Sequence, residues 1–245
     1  MGGPLALVGG DEFHLGNEPQ DRLLAAAAAG GTAYVLPTAA ARSRPDLASA
    51  HARRWFAGLG LEVRELPVLT RSDARSERLA ELAAGGHFFY LVGGDPGLVV
   101  RVLADTPVWR AIAAAWASGA ALAGSSAGAM ALCRWTLIRA GWPVHDARRY
   151  RDALGVVPGT ALLPHFETFG RRWVPSARAA MPAPDVCLLG VDERTAAVWE
   201  SSRWRCYGAG GVTVIRDGSQ ARFASGGELT GIPAPLFEGS EQPGS

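Results

Sequence analysis

The segment Gly124-Ser125-Ser126-Ala127-Gly128 places a serine between small residues two positions before it and two after it. An apolar run at residues 120–123 precedes the segment, and a helix-favouring run at 127–133 follows it. A strand, a tight turn and a helix in this order are typical of a nucleophile elbow, whose strained turn exposes the serine hydroxyl. The glycines give strand and helix room to approach, and the helix N–H groups point where an oxyanion would form. A packing turn without chemistry explains the same five residues, so the rest of the chain has to decide.

A serine hydroxyl becomes a strong nucleophile only when a base accepts its proton and a third group orients that base. His165 is the preferred base, because it follows an apolar run and Pro164 at a predicted strand end. His14 and His145 lie in polar loops and are weaker candidates. A structural role for His165 is the alternative.

The orienting carboxylate is expected at another strand end. Asp192 and Glu193 follow the predicted strand at residues 186–189, and only one of two adjacent carboxylates in a turn can face the histidine. The other would be solvated or would pair with Arg194. A charged hairpin turn without chemistry is again the alternative.

Composition favours one globular domain. The 245 residues are 48% hydrophobic and 19% charged, with a formal net charge of +1, so we expect a single domain over 1–245. The Pro-, Gly- and Ser-rich tail beyond about residue 231 is predicted to fray. All 24 basic residues are arginine, which suggests biased genomic base composition and lowers the weight of arginine clusters. The near-neutral charge argues against nucleic acid as a partner.

The three cysteines have no metal-ligand spacing and form an odd set: Cys133, Cys187 and Cys206. They do not form a disulfide framework, which favours a reducing cytoplasm. The N-terminal residues lack a signal-peptide pattern, and the run at 23–29 is too short to span a bilayer. We therefore expect a cytoplasmic protein without a membrane partner and without a bound metal.

Apolar runs alternate with helical stretches in the first half of the chain, which indicates an α/β fold with a mostly parallel sheet and helices on both faces. The predicted strands there are 5–8, 33–36, 61–66, 87–92 and 120–123, and the predicted helices are 22–29, 45–56 (capped near Ser43) and 73–84. Extra antiparallel strands are predicted near the C-terminus at 186–189, 196–199, 204–207 and 212–215, the last entering a turn at Asp217-Gly218.

Three predicted strands end in glycine-bearing turns: Gly9-Gly10, Gly93-Gly94 and Gly124. Ligands of parallel α/β sheets bind outside the carboxyl ends of the strands. The three turns therefore predict one shared site, although each alone would pass for an ordinary tight turn.

Several motifs in order resemble the S51 serine peptidases, the group that contains aspartyl dipeptidase (peptidase E) and cyanophycinase. The resemblance covers about residues 5–215 and rests on the segments 35–39, 58–60, 71–74, 91–95, 124–129, 164–166 and 190–196. One such segment is weak support, and several in order are strong.

The resemblance implies a class I glutamine-amidotransferase-like (flavodoxin-like) three-layer sandwich and a Ser-His-Glu triad. Ser126 would be the nucleophile, His165 the base and then the acid, and Glu193 the orienting group. The backbone N–H groups of Gly94 and Ala127 would form the oxyanion hole. Some descriptions of the family place the acid shortly after the elbow, but the stretch 139–142 has no carboxylate. That favours Glu193, with Asp192 and Asp146 left open.

The resemblance also implies a substrate: dipeptides with N-terminal Asp, or β-aspartyl-arginine. Candidate substrate-binding residues are Asp95, Arg171 and Arg172, the arginines as a clamp for the Asp carboxylate. Pro96 departs from the family pattern, because it replaces the residue whose polar side chain would touch substrate.

The leading hypothesis is thus a serine exopeptidase (dipeptidase or cyanophycinase-like) that cleaves small, Asp-containing peptides through an acyl-enzyme without a cofactor. An esterase or amidase with the same triad and a catalytically silent small-ligand-binding relative are the alternatives. The sequence leaves the oligomeric state open, with a homodimer as one option.

Overall fold

The computed structural model of this chain describes residues 2–28, 30–139 and 148–236. Its strands are β1 Leu5–Val8, β2 Thr32–Leu36, β3 Val63–Glu65, β4 Gly86–Leu91, β5 Ala121–Ser125, β6 Cys133–Arg139, β7 Arg148–Asp152, β8 Val157–Leu163, β9 Cys187–Val191, β10 Thr195–Glu200, β11 Arg203–Gly208, β12 Gly211–Arg216, β13 Ser219–Ala224 and β14 Glu228–Leu229. Its α-helices are α1 Glu18–Ala28, α2 Pro45–Gly58, α3 Arg71–Ala74, α4 Glu77–Ala84, α5 Pro96–Leu103, α6 Pro107–Ala117, α7 Ala127–Leu132 and α8 Val174–Ala179.

The described strands form two sheets. The larger has the order β14-β11-β10-β1-β5-β4-β2-β3, and the smaller has the order β13-β12-β9-β8-β6-β7. In the larger sheet β1 and β5, β5 and β4, β4 and β2, and β2 and β3 pair in parallel. The β5 and β1 strands meet at the centre, so their carboxyl ends lie side by side.

The α/β class is confirmed, and the larger sheet is mixed: its β1-β5-β4-β2-β3 part is parallel, and the remaining pairs are antiparallel. Its β1–β10, β10–β11 and β11–β14 pairs are antiparallel. The physical reason is connection length: β10 and β11 are joined by Ser201 and Ser202, and two residues can only reverse a chain into a hairpin. The predicted C-terminal antiparallel strands are confirmed, including the turn at Asp217-Gly218 between β12 and β13.

The larger sheet is covered on both faces, because alternate residues of its strands join two separate cores. Leu5 and Leu7 of β1 pack into the core shared with the smaller sheet, whereas Ala6 and Val8 pack into a second core with α1 and α2. The strands β1 and β5 are therefore buried at every position, β2 and β4 at all but one, and these four read as nearly continuous apolar runs in the sequence.

Two predicted helices differ from the observed ones in ways that local capping explains. The predicted helix at 73–84 is divided into α3 and α4, because Thr70 and Asp73 form a capping box and Ser76 accepts a hydrogen bond from the Leu79 N–H. The helix α2 begins after Arg44 without a side-chain cap, and the Ser43 hydroxyl bonds the Ala40 carbonyl instead.

The chain beyond Gly231 still makes contacts where it is described. The Leu236 N–H donates to the Val156 carbonyl, and the Trp204 indole N–H donates to the Pro233 carbonyl. Residues 237–245 lie outside the described part. Within the described ranges, no helix combines the length and the apolar character needed to cross a membrane.

Candidate active site

The predicted elbow is a strand, a one-residue turn and a helix. Ser126 lies between β5 and α7 with φ 48° and ψ −109°, a left-handed backbone that is rare for a residue with a Cβ atom. Its N–H donates to the Val8 carbonyl of the neighbouring strand β1 at 2.9 Å. A Cβ atom on Gly124 would lie 2.5 Å from the Gly128 backbone, and one on Gly128 would lie 2.2 Å from the Leu91 carbonyl oxygen. Both glycines therefore let strand and helix approach more closely than a Cβ atom would allow, as predicted.

Ser126, His165 and Glu193 form a continuous chain of polar contacts. The Ser126 Oγ lies 3.1 Å from His165 Nε2, and His165 Nδ1 lies 2.8 Å from Glu193 Oε1. The side chains of His165 and Glu193 are only 21% and 30% exposed. An Nδ1–H that donates to the carboxylate leaves Nε2 free to accept the serine proton.

The His165 ring is held by contacts on several sides. Its backbone has φ 47°, and its N–H donates to the Gly9 carbonyl at 2.7 Å. The ring stacks on Phe169 with a centroid distance of 4.8 Å. On its other side, a Cβ atom on Gly10 would lie 2.2 Å from the imidazole, so only glycine leaves room for the ring.

The adjacent carboxylates Asp192 and Glu193 have different partners. The Asp192 Oδ2 accepts from the Gly211 N–H at 2.8 Å and from Arg222 at 2.6 Å, and its side chain is 5% exposed. Arg222 also contacts Glu167 at 3.0 Å. Asp192 is therefore neither solvated nor paired with Arg194, the two alternatives that the sequence suggested. Its partner is Arg222, because β13 brings Arg222 beside the turn.

Arg194 instead joins the turn to the loop after β1. Its N–H donates to the Gly10 carbonyl at 2.9 Å, and its Nε lies 3.3 Å from Asp11 Oδ2. The two other candidates left open by the sequence, His145 and Asp146, lie outside the described residues.

Gly94 and Ala127, the predicted donors of the oxyanion hole, border the same cleft as Ser126. Gly94 has φ 145°, and a Cβ atom there would lie 2.2 Å from the Ala39 carbonyl oxygen. Ala127 is the first residue of α7, and the N–H of a first-turn residue has no acceptor within its own helix.

A cleft of about 660 Å³ opens beside the Ser126 hydroxyl. Its lining combines backbone of the elbow, the base, apolar side chains and two arginines: Gly94, Asp95, Pro96, Ser126, Ala127, Met130, Leu137, Ile138, Arg139, Arg148, Pro164, His165, Phe169 and Trp173. The volume falls in the range of small-molecule sites.

Asp95 lines the cleft, but its carboxylate contacts residues of the helix that follows it, α5. Its Oδ1 accepts from the Leu98 N–H at 3.1 Å and so caps α5, while Oδ2 lies 3.8 Å from Arg101. Pro96 occupies the first turn of α5, where a missing N–H costs no helical hydrogen bond.

The predicted clamp residues Arg171 and Arg172 are not among the described residues that line the cleft. Arg171 is 58% exposed, lies 2.7 Å from Glu167 and sits over the Phe166 ring. Arg172 is exposed to solvent. The cleft contains Arg139 and Arg148 instead; Arg148 is 8% exposed and lies 4.0 Å from the Trp173 ring centroid. Apart from the arginine-rich composition, no feature of the sequence predicted that these two arginines of β6 and β7 would line the cleft.

Glu12 is a second site residue that the sequence motifs did not single out. Its carboxylate accepts from the Gly93 N–H at 2.8 Å and from the Ser125 hydroxyl at 2.9 Å. The glycine turn after β1 was predicted to reach the shared site, and Glu12 lies two residues after Gly10.

Asp21 of α1 is a buried carboxyl group behind this region, on the side of the larger sheet that is covered by α1 and α2. Asp21 is fully buried, and burial raises its pKa to about 8, although the Trp55 indole donates to its Oδ2 at 2.8 Å. Burial also raises the pKa of Tyr90 well above its ordinary value, and the neighbouring Asp21 and Glu12 charges add to this. We therefore expect neutral forms of both side chains near pH 7.

The cysteines are not competing nucleophiles. Cys133, Cys187 and Cys206 are all buried and unpaired. Burial raises their pKa values to about 12, 11 and 11, so the reactive thiolate form is scarce at neutral pH.

Ser126 follows β5 of the larger sheet, whereas His165 and Glu193 follow the neighbouring strands β8 and β9 of the smaller sheet. A serine, a histidine and a carboxylate in contact within an α/β fold are the arrangement of the serine hydrolases, and comparison with known proteins specifies the family. The model of peptidase family S51 matches residues 5–206. The chain therefore belongs to peptidase family S51, and the predicted resemblance is confirmed.

The relatives agree with this assignment. A cyanophycinase of Trichormus variabilis is 29% identical over 216 residues, which cover 85% of this chain and 72% of the relative. The crystal structure of a peptidase from an acI-B1 Actinobacterium is similar with a TM-score of 0.82 and 29% identity, covering 94% of this chain and 97% of the other. A putative peptidase E protein from Listeria monocytogenes shares the fold, with a TM-score of 0.57, 17% identity, and coverage of 91% of this chain and 98% of the other.

Proposed function

We propose that this chain is a serine exopeptidase that cleaves small acidic peptides through an acyl-enzyme formed at Ser126. The observation that carries the proposal is the chain of contacts from the Ser126 hydroxyl through both nitrogens of His165 to Glu193. Membership of peptidase family S51 supports peptide-bond hydrolysis as the reaction. We infer a cytoplasmic location from the free cysteines.

The first half of the reaction forms the acyl-enzyme. As the Ser126 Oγ attacks the scissile carbonyl carbon, its proton passes to His165 Nε2, and the carbonyl oxygen becomes an oxyanion facing the N–H groups of Gly94 and Ala127. Glu193 keeps the proton on Nδ1 and stabilises the imidazolium. His165 then gives its proton to the leaving amine, and the C–N bond breaks.

The second half regenerates the enzyme. A water molecule loses a proton to His165 Nε2 and attacks the ester carbon through a second tetrahedral intermediate. The proton returns to the Ser126 oxygen as the ester bond breaks, and the acid product leaves. His165, oriented by Glu193, suffices for each of these proton transfers.

The cleft supports an acidic substrate through its arginines. Arg148 is buried against Trp173 at the wall of the cleft, and Arg139 lies at its rim. A guanidinium matches a carboxylate in charge and in bidentate geometry. We therefore assign the carboxylate clamp to Arg148 in place of Arg171 and Arg172. Both Asp-Xaa dipeptides and β-aspartyl-arginine carry such a carboxylate.

The test is active-site labelling with a fluorophosphonate, followed by peptide mapping. We expect label on Ser126 in the wild type, and a loss of labelling by about 10³-fold or more in Ser126→Ala and His165→Ala. The matched controls are Ser72→Ala and His51→Ala, which remove exposed side chains of the same types and should label normally.

A folded wild type that resists the probe would contradict the proposal and favour a silent ligand-binding relative. Label that maps to another serine would show that the elbow is misassigned. For a reactive protein, hydrolysis of Asp-Xaa and β-Asp-Arg dipeptides should exceed that of Ala-Xaa by at least about tenfold, and Arg148→Met should remove this preference. Rapid hydrolysis of simple esters without peptide hydrolysis would favour the esterase alternative.

A further inference from the structure

One carboxylate joins the two loops that carry the predicted nucleophile and the predicted oxyanion donor. Glu12 Oε1 accepts from the Gly93 N–H at 2.8 Å, and Oε2 accepts from the Ser125 hydroxyl at 2.9 Å. Gly93 immediately precedes Gly94, and Ser125 immediately precedes Ser126. Glu12 thus bonds the residue before each of these two groups.

The space between the two loops is tight. A Cβ atom on Gly93 would lie 3.0 Å from Glu12 Oε1 and 3.5 Å from the Ser126 Cβ. Ser125 is fully buried at the end of β5, so its hydroxyl is shielded from bulk solvent. The bond to Glu12 therefore satisfies a buried donor that would otherwise cost free energy.

The loop after β1 orients Glu12 inward. Its neighbours Asp11 and Phe13 both have left-handed backbones, with φ 54° and 63°. The amide of Asn17, which is fully buried, donates to the Asp11 carbonyl at 2.9 Å and holds the turn. A strained backbone at both flanking residues persists only where surrounding contacts impose it.

We infer that Glu12 is a positioning residue that fixes the distance between the Gly94 N–H and the Ser126 Oγ. The inference rests on the proposed function, because it assigns Glu12 a part in the same oxyanion hole. A carboxylate suits the position because both groups it meets are donors. Oxyanion donors act at about 2.7–3.1 Å, and a displacement of about 1 Å costs about 10²-fold in rate.

The experiment compares Glu12→Ala and Glu12→Gln with the wild type. Alanine removes both contacts, whereas the glutamine carbonyl can accept from Gly93 while its amide donates to the Ser125 oxygen. The matched control is Asp73→Asn: the Asp73 carboxylate also accepts hydrogen bonds from neighbouring groups, here the N–H groups of Leu69 and Thr70, and it lies outside the cleft lining.

We expect Glu12→Ala to lower kcat and the fluorophosphonate labelling rate by about 10²-fold, with KM within about threefold of the wild type. Glu12→Gln should stay within about tenfold, because it can keep both contacts. We expect both Glu12→Ala and Asp73→Asn to lower the melting temperature. Only Glu12→Ala should also lower the labelling rate. Amide hydrogen exchange at Gly93 should accelerate in Glu12→Ala, a readout that needs no turnover.

A reactive wild type together with an equally reactive Glu12→Ala overturns this inference alone. A wild type that does not react overturns the proposed function and the inference with it, so the two failures are distinguishable. Should Glu12→Ala fail to fold, Glu12→Asp takes its place: its carboxylate is too short to reach both loops. A tenfold or greater loss of kcat supports the inference, and wild-type kcat in Glu12→Asp overturns it.

Discussion

The candidate site is built from two regions of different construction. The elbow region comprises Ser126, Gly94 and the ends of β4 and β5, and it is shaped by backbone packing around Gly124 and Gly128. The base region comprises His165, Glu193 and the turns after β8 and β9, and polar side-chain contacts such as Asp192 to Arg222 hold it. The five residues of the elbow, 124–128, are adjacent in the chain, whereas His165 and Glu193 are 28 positions apart.

The loop after β1 connects these two regions. The Gly9 and Gly10 carbonyls accept from the N–H groups of His165 and Arg194, and Glu12 bonds the elbow region. A short motif can therefore specify a reactive group, whereas the groups that activate it are held in place by a third segment, the loop after β1. Substitutions in the base region and in the elbow region should have different effects.

The largest expected effect distinguishes the two adjacent carboxylates of the base region. Glu193→Gln should lower kcat by about 10²–10⁴-fold, because a neutral amide no longer stabilises the imidazolium or selects its tautomer. Asp192→Asn should leave kcat within about threefold and lower the free energy of unfolding by about 1–2 kcal/mol, through its weakened bond to Arg222. Steady-state kinetics and urea unfolding measure the two effects. The reverse pattern would make Asp192 the orienting acid.

The next effect concerns the packing of the elbow region. Gly128→Ala should lower the free energy of unfolding by about 3 kcal/mol and abolish labelling, because its Cβ would lie 2.2 Å from the Leu91 carbonyl oxygen. Gly58→Ala is the matched control: Gly58 also lies in a helix, and a Cβ there meets nothing within 4 Å. Its stability should be unchanged or higher by about 0.5 kcal/mol. Equal behaviour of the two variants would refute the packing account.

The smallest expected effect is on the pH dependence of stability, through Asp21, which is buried behind the elbow region. The pKa of Asp21 rises from 3.8 to about 8 on folding, so its contribution to stability is full below pH 4 and is lost as the pH rises towards 8. Asp21→Asn removes this loss while its carbonyl still accepts from Trp55. The stability of the variant relative to the wild type should therefore rise by roughly 1 kcal/mol per pH unit between pH 5 and 7. A difference that stays constant over this range would show that Asp21 is ionised in the folded protein.

The sequence predicted the buried strands of the first half well, because parallel strands covered on both faces read as continuous apolar runs. The strand predicted at 87–92 is β4 at Gly86–Leu91, and the elbow follows the predicted order. The break between α3 and α4 was missed, since a capping box at Thr70 and a cap at Ser76 decide it rather than hydrophobic periodicity. The antiparallel strands near the C-terminus were predicted, but the pairing of β10 with β1 was not, because it joins residues nearly two hundred positions apart.

The sequence alone determined the position of the candidate nucleophile, because an elbow serine needs small neighbours and those residues are adjacent in the chain. Which carboxylate faces His165, which arginines line the cleft and what Glu12 bonds were decided only by the tertiary structure. The physical reason is that the partners come from distant segments: β13 places Arg222 beside Asp192, and the turn after β8 places His165 beside Glu193. Asp192 meets Arg222 and Glu193 meets His165 for that reason.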